Sequence, residues 1–155
     1  MGKGSLPCDV LFISDAPHRS DDMTGLPFSG PDGRVLRSAL KSAILLANIS
    51  SDYITYYITH CVACRPCDDR TEPNRDPTGE EIWACFQRLE EEALLADPQH
   101  VVFLGKLAEK SCRQLFPAGI ALQHPSYVYS QGGTNCAAYT QFIRELSEVF
   151  RKCTR

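Results

Sequence analysis

Asp9 to Ser14 reads DVLFIS, an apolar run with no polar alternation. A strand buried on both faces of a parallel sheet has this pattern, because helices cover it above and below. Tyr53 to Val62 reads YITYYITHCV, rich in aromatic and β-branched residues, and predicts a second central strand. His100 to Leu104, stopped by Gly105, predicts a third, and Ile120 to Leu122 a short fourth. Helical periodicity fills the intervals. Val35, Leu36, Ala39, Leu40, Ala43 and Ile44 recur at helical spacing and predict a helix over Arg34 to Ala47. Thr78 with Glu81 three residues on forms a capping-box pattern that opens a helix reaching about Ala96, with Trp83, Phe86, Leu89 and Leu94 expected on its core face. Further helices are expected from Lys106 to Leu115 and from Tyr139 to Arg151. Strands alternating with helices predict an α/β fold: a three-layer α/β/α sandwich around a mostly parallel four-stranded sheet, with ligands held outside the carboxyl ends of the strands.

The bulk numbers narrow the function. A chain of 155 residues fits a single domain spanning 1–155. Its longest apolar runs fall far short of the ~18 residues that cross a bilayer, and Met1 to Pro7 lacks the pattern of a signal peptide. A cytoplasmic, membrane-free and monomeric protein is expected. A formal net charge of −3 gives no blanket attraction to nucleic acid, so any DNA-binding face must be local. Eight cysteines without an export signal argue for metal ligation by some of them rather than for a disulfide framework.

Four segments fall at the ends of predicted strands. They are Ser14-Asp15-Ala16-Pro17-His18 with Asp21-Asp22; Gly25-Leu26-Pro27-Phe28-Ser29-Gly30-Pro31-Asp32-Gly33-Arg34-Val35-Leu36; Tyr57-Ile58-Thr59-His60-Cys61-Val62-Ala63-Cys64-Arg65-Pro66; and His124-Pro125-Ser126. In order and spacing they resemble the motifs of the family 4 uracil-DNA glycosylases, over about Val10 to Phe150. The resemblance implies DNA as partner and a monofunctional glycosylase that extrudes a base and hydrolyses its N-glycosidic bond. Phe28 matches the ring that stacks on the flipped base. His124 matches the hydrogen-bond donor to the leaving base, and Asp15 occupies the acidic position that serves water and the cationic sugar. Ala16, Pro17, His18 and His60 complete the expected base pocket, while Asp21 and Asp22 are reserve acids.

The pocket departs from the family pattern. His60 stands where the family reads the uracil edge with Asn, and an imidazole cannot offer a carboxamide's paired donor and acceptor. His18 replaces a Gly, Asp15 a Glu, and Ser14 a Gly. The changes gather on the pocket while the scaffold motifs stay, a pattern of altered substrate rather than decay; the expected base is uracil or a modified pyrimidine. A catalytically silent base- or nucleotide-binding protein, and a base-modifying enzyme using the same pocket, are the alternatives.

Cys61, Cys64 and Cys67 form C-x2-C-x2-C, a spacing that lets thiolates converge, and Cys85 follows on the next helix. Family 4 members hold a four-iron cluster with a Cys-x-x-Cys pair and two later cysteines. The later two match Cys64 and Cys85, whereas no such pair precedes Cys8. A 4Fe-4S cluster on Cys61, Cys64, Cys67 and Cys85 is expected, with Cys8 a substitute for one of them; zinc, or no metal, is the alternative. Arg65, Arg70, Arg75, Lys106 and Lys110 are candidate phosphate contacts. Ser126 and Tyr127 head a loop to Gly133 expected to enter the DNA minor groove, with Tyr127 as the wedge.

Overall fold

The computed structural model describes residues 2–153. Four strands, β2 (Val10–Ser14), β3 (Tyr56–His60), β4 (His100–Leu104) and β5 (Ile120–Leu122), run parallel in the order β3-β2-β4-β5. A fifth, β1 (Lys3–Gly4), pairs antiparallel with the outer edge of β3, Lys3 facing Ile58 and Gly4 facing Tyr57. The expected four-stranded sheet is therefore five-stranded. Two exposed residues carry no periodicity, so β1 leaves no signal in sequence.

The pleat of β2 divides the core. Val10 and Phe12 point to one side, where they pack with α2 (Pro31–Leu46), α5 (Pro125–Ser130) and α6 (Ala137–Lys152) through Leu36, Leu40, Val128, Phe142 and Phe150. Leu11 and Ile13 point to the other, against α3 (Gly79–Ala96) and α4 (Lys106–Cys112) through Leu89, Ala96, Ala108 and Cys112. This is the expected three-layer α/β/α arrangement. Residues 10 to 13 are completely buried, as a strand covered on both faces must be.

Several boundaries differ from those predicted. The capping box of α3 is present, with Glu81 N–H donating to the Thr78 hydroxyl and the Glu81 carboxylate accepting from Thr78 N–H. Its inward face is another matter. Trp83 is 77% and Leu94 80% exposed, and only Leu89 of the four predicted core residues is buried. The inward stripe instead carries Arg88 and Glu92. Arg88 donates to the carbonyls of His60 and Cys61, and Glu92 accepts from Thr59, so a polar pair occupies the inward stripe expected to be apolar. Between Asp15 and Gly33 the chain forms a short helix, α1 (Arg19–Thr24), and α2 opens at Pro31 rather than Arg34, a favoured place for proline because its missing N–H has no helical acceptor anyway. Residues 51–53 form a 3-10 turn before β3, and α4 stops at Cys112. None of the described helices is long and apolar enough to cross a membrane.

The strand order places the cleft. From β2 the chain passes to β3 on one side and then crosses to β4 on the other, so the sheet switches direction at β2. In such sheets the crevice opens outside the carboxyl end of the strand at the switch. Ser14 and His60, in register with each other, stand at that edge.

Candidate active site

Four segments distant in sequence meet at the switch point. From β2 come Ser14 and Asp15; from the α1 to α2 connection comes Phe28; from the ends of β3 and β5 come His60 and His124. The Phe28 ring lies 5.6 Å from the His60 ring at 29° and 5.7 Å from the His124 ring at 31°. His18 is the next ring along, 5.9 Å from His124. Phe28, His60 and His124 are thus brought together, as the sequence motifs imply.

The loop that presents Phe28 is held under strain. Phe28 has a φ of 53°, a left-handed conformation that side chains other than Gly seldom adopt. Its carbonyl is bound by Arg37 at 2.8 Å, and Gly33 sits so close that an added Cβ would overlap that carbonyl oxygen. Asp21, a reserve acid in the sequence reading, is committed to the same loop: its carboxylate accepts from the N–H groups of His18 and Ser29 at 2.9 and 2.8 Å. Asp22 is exposed. Ala16 and Pro17 are buried and shape the floor between Asp15 and α1.

His124 has a defined tautomer. As the N-cap of α5 it accepts the Ser126 backbone N–H on Nδ1 at 3.0 Å, so a neutral ring carries its proton on Nε2. Nε2 lies 2.9 Å from the Ser14 hydroxyl and 3.4 Å from Asp15 Oδ1. Burial disfavours charge on Asp15. The neighbouring His124 ring, with the Ser14 hydroxyl and a backbone N–H, outweighs it and holds this carboxyl well below the usual carboxylate range. An ionised acid and an N–H donor therefore face one cleft of about 340 Å³, whose walls include His18, Asn74, Arg75 and Lys106.

His18 pairs with Asp32 at 3.5 Å, and that partner raises its pKa against the opposing effect of burial. Burial opposes the ionisation of Asp32, yet the His18 bond lowers its pKa. His60 behaves in the opposite way. It is 2% exposed, neither ring nitrogen has a hydrogen-bond partner, and burial pushes its pKa down to about 4, so the ring is neutral at pH 7. Buried ring nitrogens that no protein group reaches are groups with which a ligand or ordered water pairs. The hollow beside His60, bounded by Pro17, Leu26, Pro27 and Arg65, measures about 70 Å³. That is room for about two waters at ~30 Å³ each. A larger hollow of about 380 Å³ lies behind Phe28 between α2 and β3, and none of Asp15, His60 and His124 lines it.

The candidate DNA contacts divide. Lys106 is exposed at the mouth of the cleft, and Tyr127 is 46% exposed. The expected wedge loop begins as the helix α5, and Ser126 is turned inward, its hydroxyl 2.7 Å from His124 Nδ1. Arg65 is buried, contrary to expectation. Its guanidinium donates to Asn74 and to the carbonyls of Arg70 and Glu72, so its donors organise the loop after β3 instead of facing phosphate. Arg75 is paired with Glu81 and Asp68.

The cysteines do not fit a metal cluster. Among the described residues no three His, Cys, Asp or Glu side chains gather as a metal ion would need. Cys61 turns into the core, its sulfur 3.4 Å from that of Cys112. That contact and burial push the Cys61 thiol far up. Cys64 lies exposed and Cys67 and Cys85 half-buried. Cys61 directly follows β3 and packs with Leu11 and Ile13 under the sheet.

Comparison with known proteins follows the same lines. The family model of the uracil DNA glycosylase superfamily matches residues 1–147. The chain belongs to this superfamily. It is 28% identical over 150 residues to the type-4 uracil-DNA glycosylase of Sulfurisphaera tokodaii, an alignment covering 97% of this chain and 56% of that protein. The type-4 uracil-DNA glycosylases of Archaeoglobus fulgidus and Pyrobaculum aerophilum are 33% and 32% identical, each alignment covering 74% of this chain and 52% and 53% of theirs. This superfamily member spans about half the length of the curated relatives it matches. Ser14 is the site residue whose part the sequence reading missed. It was noted only as a replacement for Gly, and its one available signal was a hydroxyl placed beside the acid.

Proposed function

We propose that this chain is a monofunctional DNA glycosylase that extrudes uracil or a modified pyrimidine and hydrolyses its N-glycosidic bond. The observation that carries the reading is the Phe28 ring packed near the rings of both His60 and His124, with ionised Asp15 beside His124. Aromatic rings supply the stacking face that an unpaired base loses on leaving the duplex. The Nε2–H of His124 donates to the oxygen where negative charge develops on the departing base, a contribution of about 3 kcal/mol for such a donor. Asp15 stabilises the cationic sugar and orients the attacking water. His60 meets the base edge with one donor and one acceptor on opposite sides of its ring, in place of a carboxamide's adjacent pair.

DNA is the partner, approached from the Lys106 and Tyr127 side. The protein acts as a monomer in the cytoplasm. No step is assigned to an iron-sulfur cluster or to zinc, because the cysteines do not converge. Analysis of the purified protein for iron, sulfide and zinc, expected to find none in stoichiometric amount, tests that assignment.

The deciding experiment incubates the protein with single- and double-stranded oligonucleotides carrying uracil, hydroxymethyluracil or other modified pyrimidines, and scores abasic product by alkaline cleavage. Product that disappears in Asp15→Asn and His124→Ala supports the reading. Absence of product from every substrate overturns it. The unpartnered ring nitrogens of His60 favour a second reading, a protein that binds the extruded base without cutting it. DNA binding without abasic product is its signature.

A further inference from the structure

We infer that Ser14 is a positioning residue that couples the acid to the donor and keeps them from pairing directly. Its kinetic consequence rests on the glycosylase reading, whereas its structural consequence does not. Ser14 is the last residue of β2 and is completely buried. Its backbone carbonyl accepts the Cys61 N–H at 2.8 Å, which ties it to the exit of β3. Its hydroxyl lies 2.9 Å from Asp15 Oδ1 and 2.9 Å from His124 Nε2.

The direction of these two bonds follows from their partners. An ionised carboxylate only accepts, so the single hydroxyl proton points at Asp15. The Ser126 backbone N–H occupies His124 Nδ1, so Nε2 carries the ring proton and donates it to a Ser14 lone pair. A one-way chain results: His124 donates to Ser14, and Ser14 donates to Asp15. The direct contact between Nε2 and Asp15, 3.4 Å, is longer than an ordinary N–H···O bond of about 2.7 to 3.2 Å. Coupling between the two catalytic candidates therefore runs through the hydroxyl.

Chemistry gives this a use. A bond from Nε2–H to a carboxylate is roughly twice as strong as one to a neutral acceptor. Were Asp15 the direct partner, a base oxygen would have to compete with a full negative charge for the donor. Ser14 offers a neutral acceptor that the leaving base can displace, and it retains its own bond to Asp15 while that happens. The donor stays aimed and exchangeable, and the acid stays ionised.

Ser14→Ala, Ser14→Gly and Ser14→Thr test this in the full chain. In substrate-free protein, nitrogen NMR of the His124 ring is expected to show the proton on Nε2 in the native protein and in Ser14→Thr, protected from solvent. In Ser14→Ala the Nε2–H signal shifts as the proton turns to the Asp15 carboxylate, and Ser14→Gly repeats the change without a methyl in the buried site. Single-turnover base release at saturating oligonucleotide is expected to fall roughly tenfold in Ser14→Ala, with oligonucleotide affinity within about twofold of native and recovery in Ser14→Thr. Ring signals that are the same in Ser14→Ala, Ser14→Gly and the native protein overturn the inference. So does a loss of rate that Ser14→Thr fails to recover. If no oligonucleotide yields product from the native protein, the glycosylase reading fails and the NMR comparison still decides the role of Ser14.

Discussion

Replacing His60 with Phe is expected to make the fold more resistant to acid while removing its activity. The ring is buried and its pKa is pushed down to about 4, chiefly by burial, with the charges of Asp21 and Asp15 pulling the other way and that of His18 adding to the depression. An unfolded chain protonates the same imidazole near pH ~6.5. Between those values the unfolded state binds the extra proton, so stability is full above about pH 6.5 and is lost as pH falls towards 4. The gap corresponds to about 3 kcal/mol over the window. Phe cannot titrate, so its stability advantage over the native protein grows by about that amount between pH 7 and pH 4. At pH 7 itself, removing two buried ring nitrogens without partners gains about 1 to 3 kcal/mol, less any strain from the larger ring. Urea unfolding of both proteins at pH 7, 5.5 and 4 measures the difference, and subtraction cancels every other titrating group. Parallel curves would refute the reasoning, since they would mean that His60 takes up protons equally well folded and unfolded. A variant both more acid-resistant and unable to release a base would mark His60 as a residue kept for function at a cost in stability.

Phe28→Ala is expected to lower base release by at least tenfold through lost stacking, worth about 1 to 3 kcal/mol per base, and oligonucleotide titration with single-turnover kinetics measures it. Asp32→Asn removes the His18 partner. The raised His18 pKa contributes stability that is lost as pH rises through it, and the lowered Asp32 pKa contributes stability that is lost as pH falls through it. The variant should therefore be less stable by about 1 kcal/mol near pH 5.5 for a half-buried pair, with the difference shrinking at pH 8 and at pH 3 in urea melts. Arg65→Lys keeps the charge but not the planar fork that binds the loop at residues 70 to 74. Proteolysis of that loop should quicken severalfold while the salt dependence of DNA binding stays unchanged.

Much of this molecule was legible from local pattern. Leu11, Phe12 and Ile13 form an apolar run that only a doubly covered strand accommodates, and Thr78 with Glu81 announced the start of α3. The aromatic and histidine motifs marked the carboxyl edge of the sheet because loops after parallel strands must lie there. The inward face of α3 is not legible in this way, because the half-buried Arg88 and Glu92 are held there by bonds to the β3 chain, which apolar periodicity cannot register. Residue type suggests phosphate contact for Arg65 and spacing suggests metal ligation for Cys61, whereas the fold turns both inward.

The sequence by itself determined the elements and their residue chemistry, since strand and helix periods, caps and turn formers act over a few neighbouring residues. Only the tertiary structure decided which of those residues meet. Ser14 and His124 are 110 positions apart, and their contact depends on β4 and β5 lying on one side of β2 and β3 on the other. That strand order follows from packing the two faces of the sheet at once, a property of the whole chain that no local window contains.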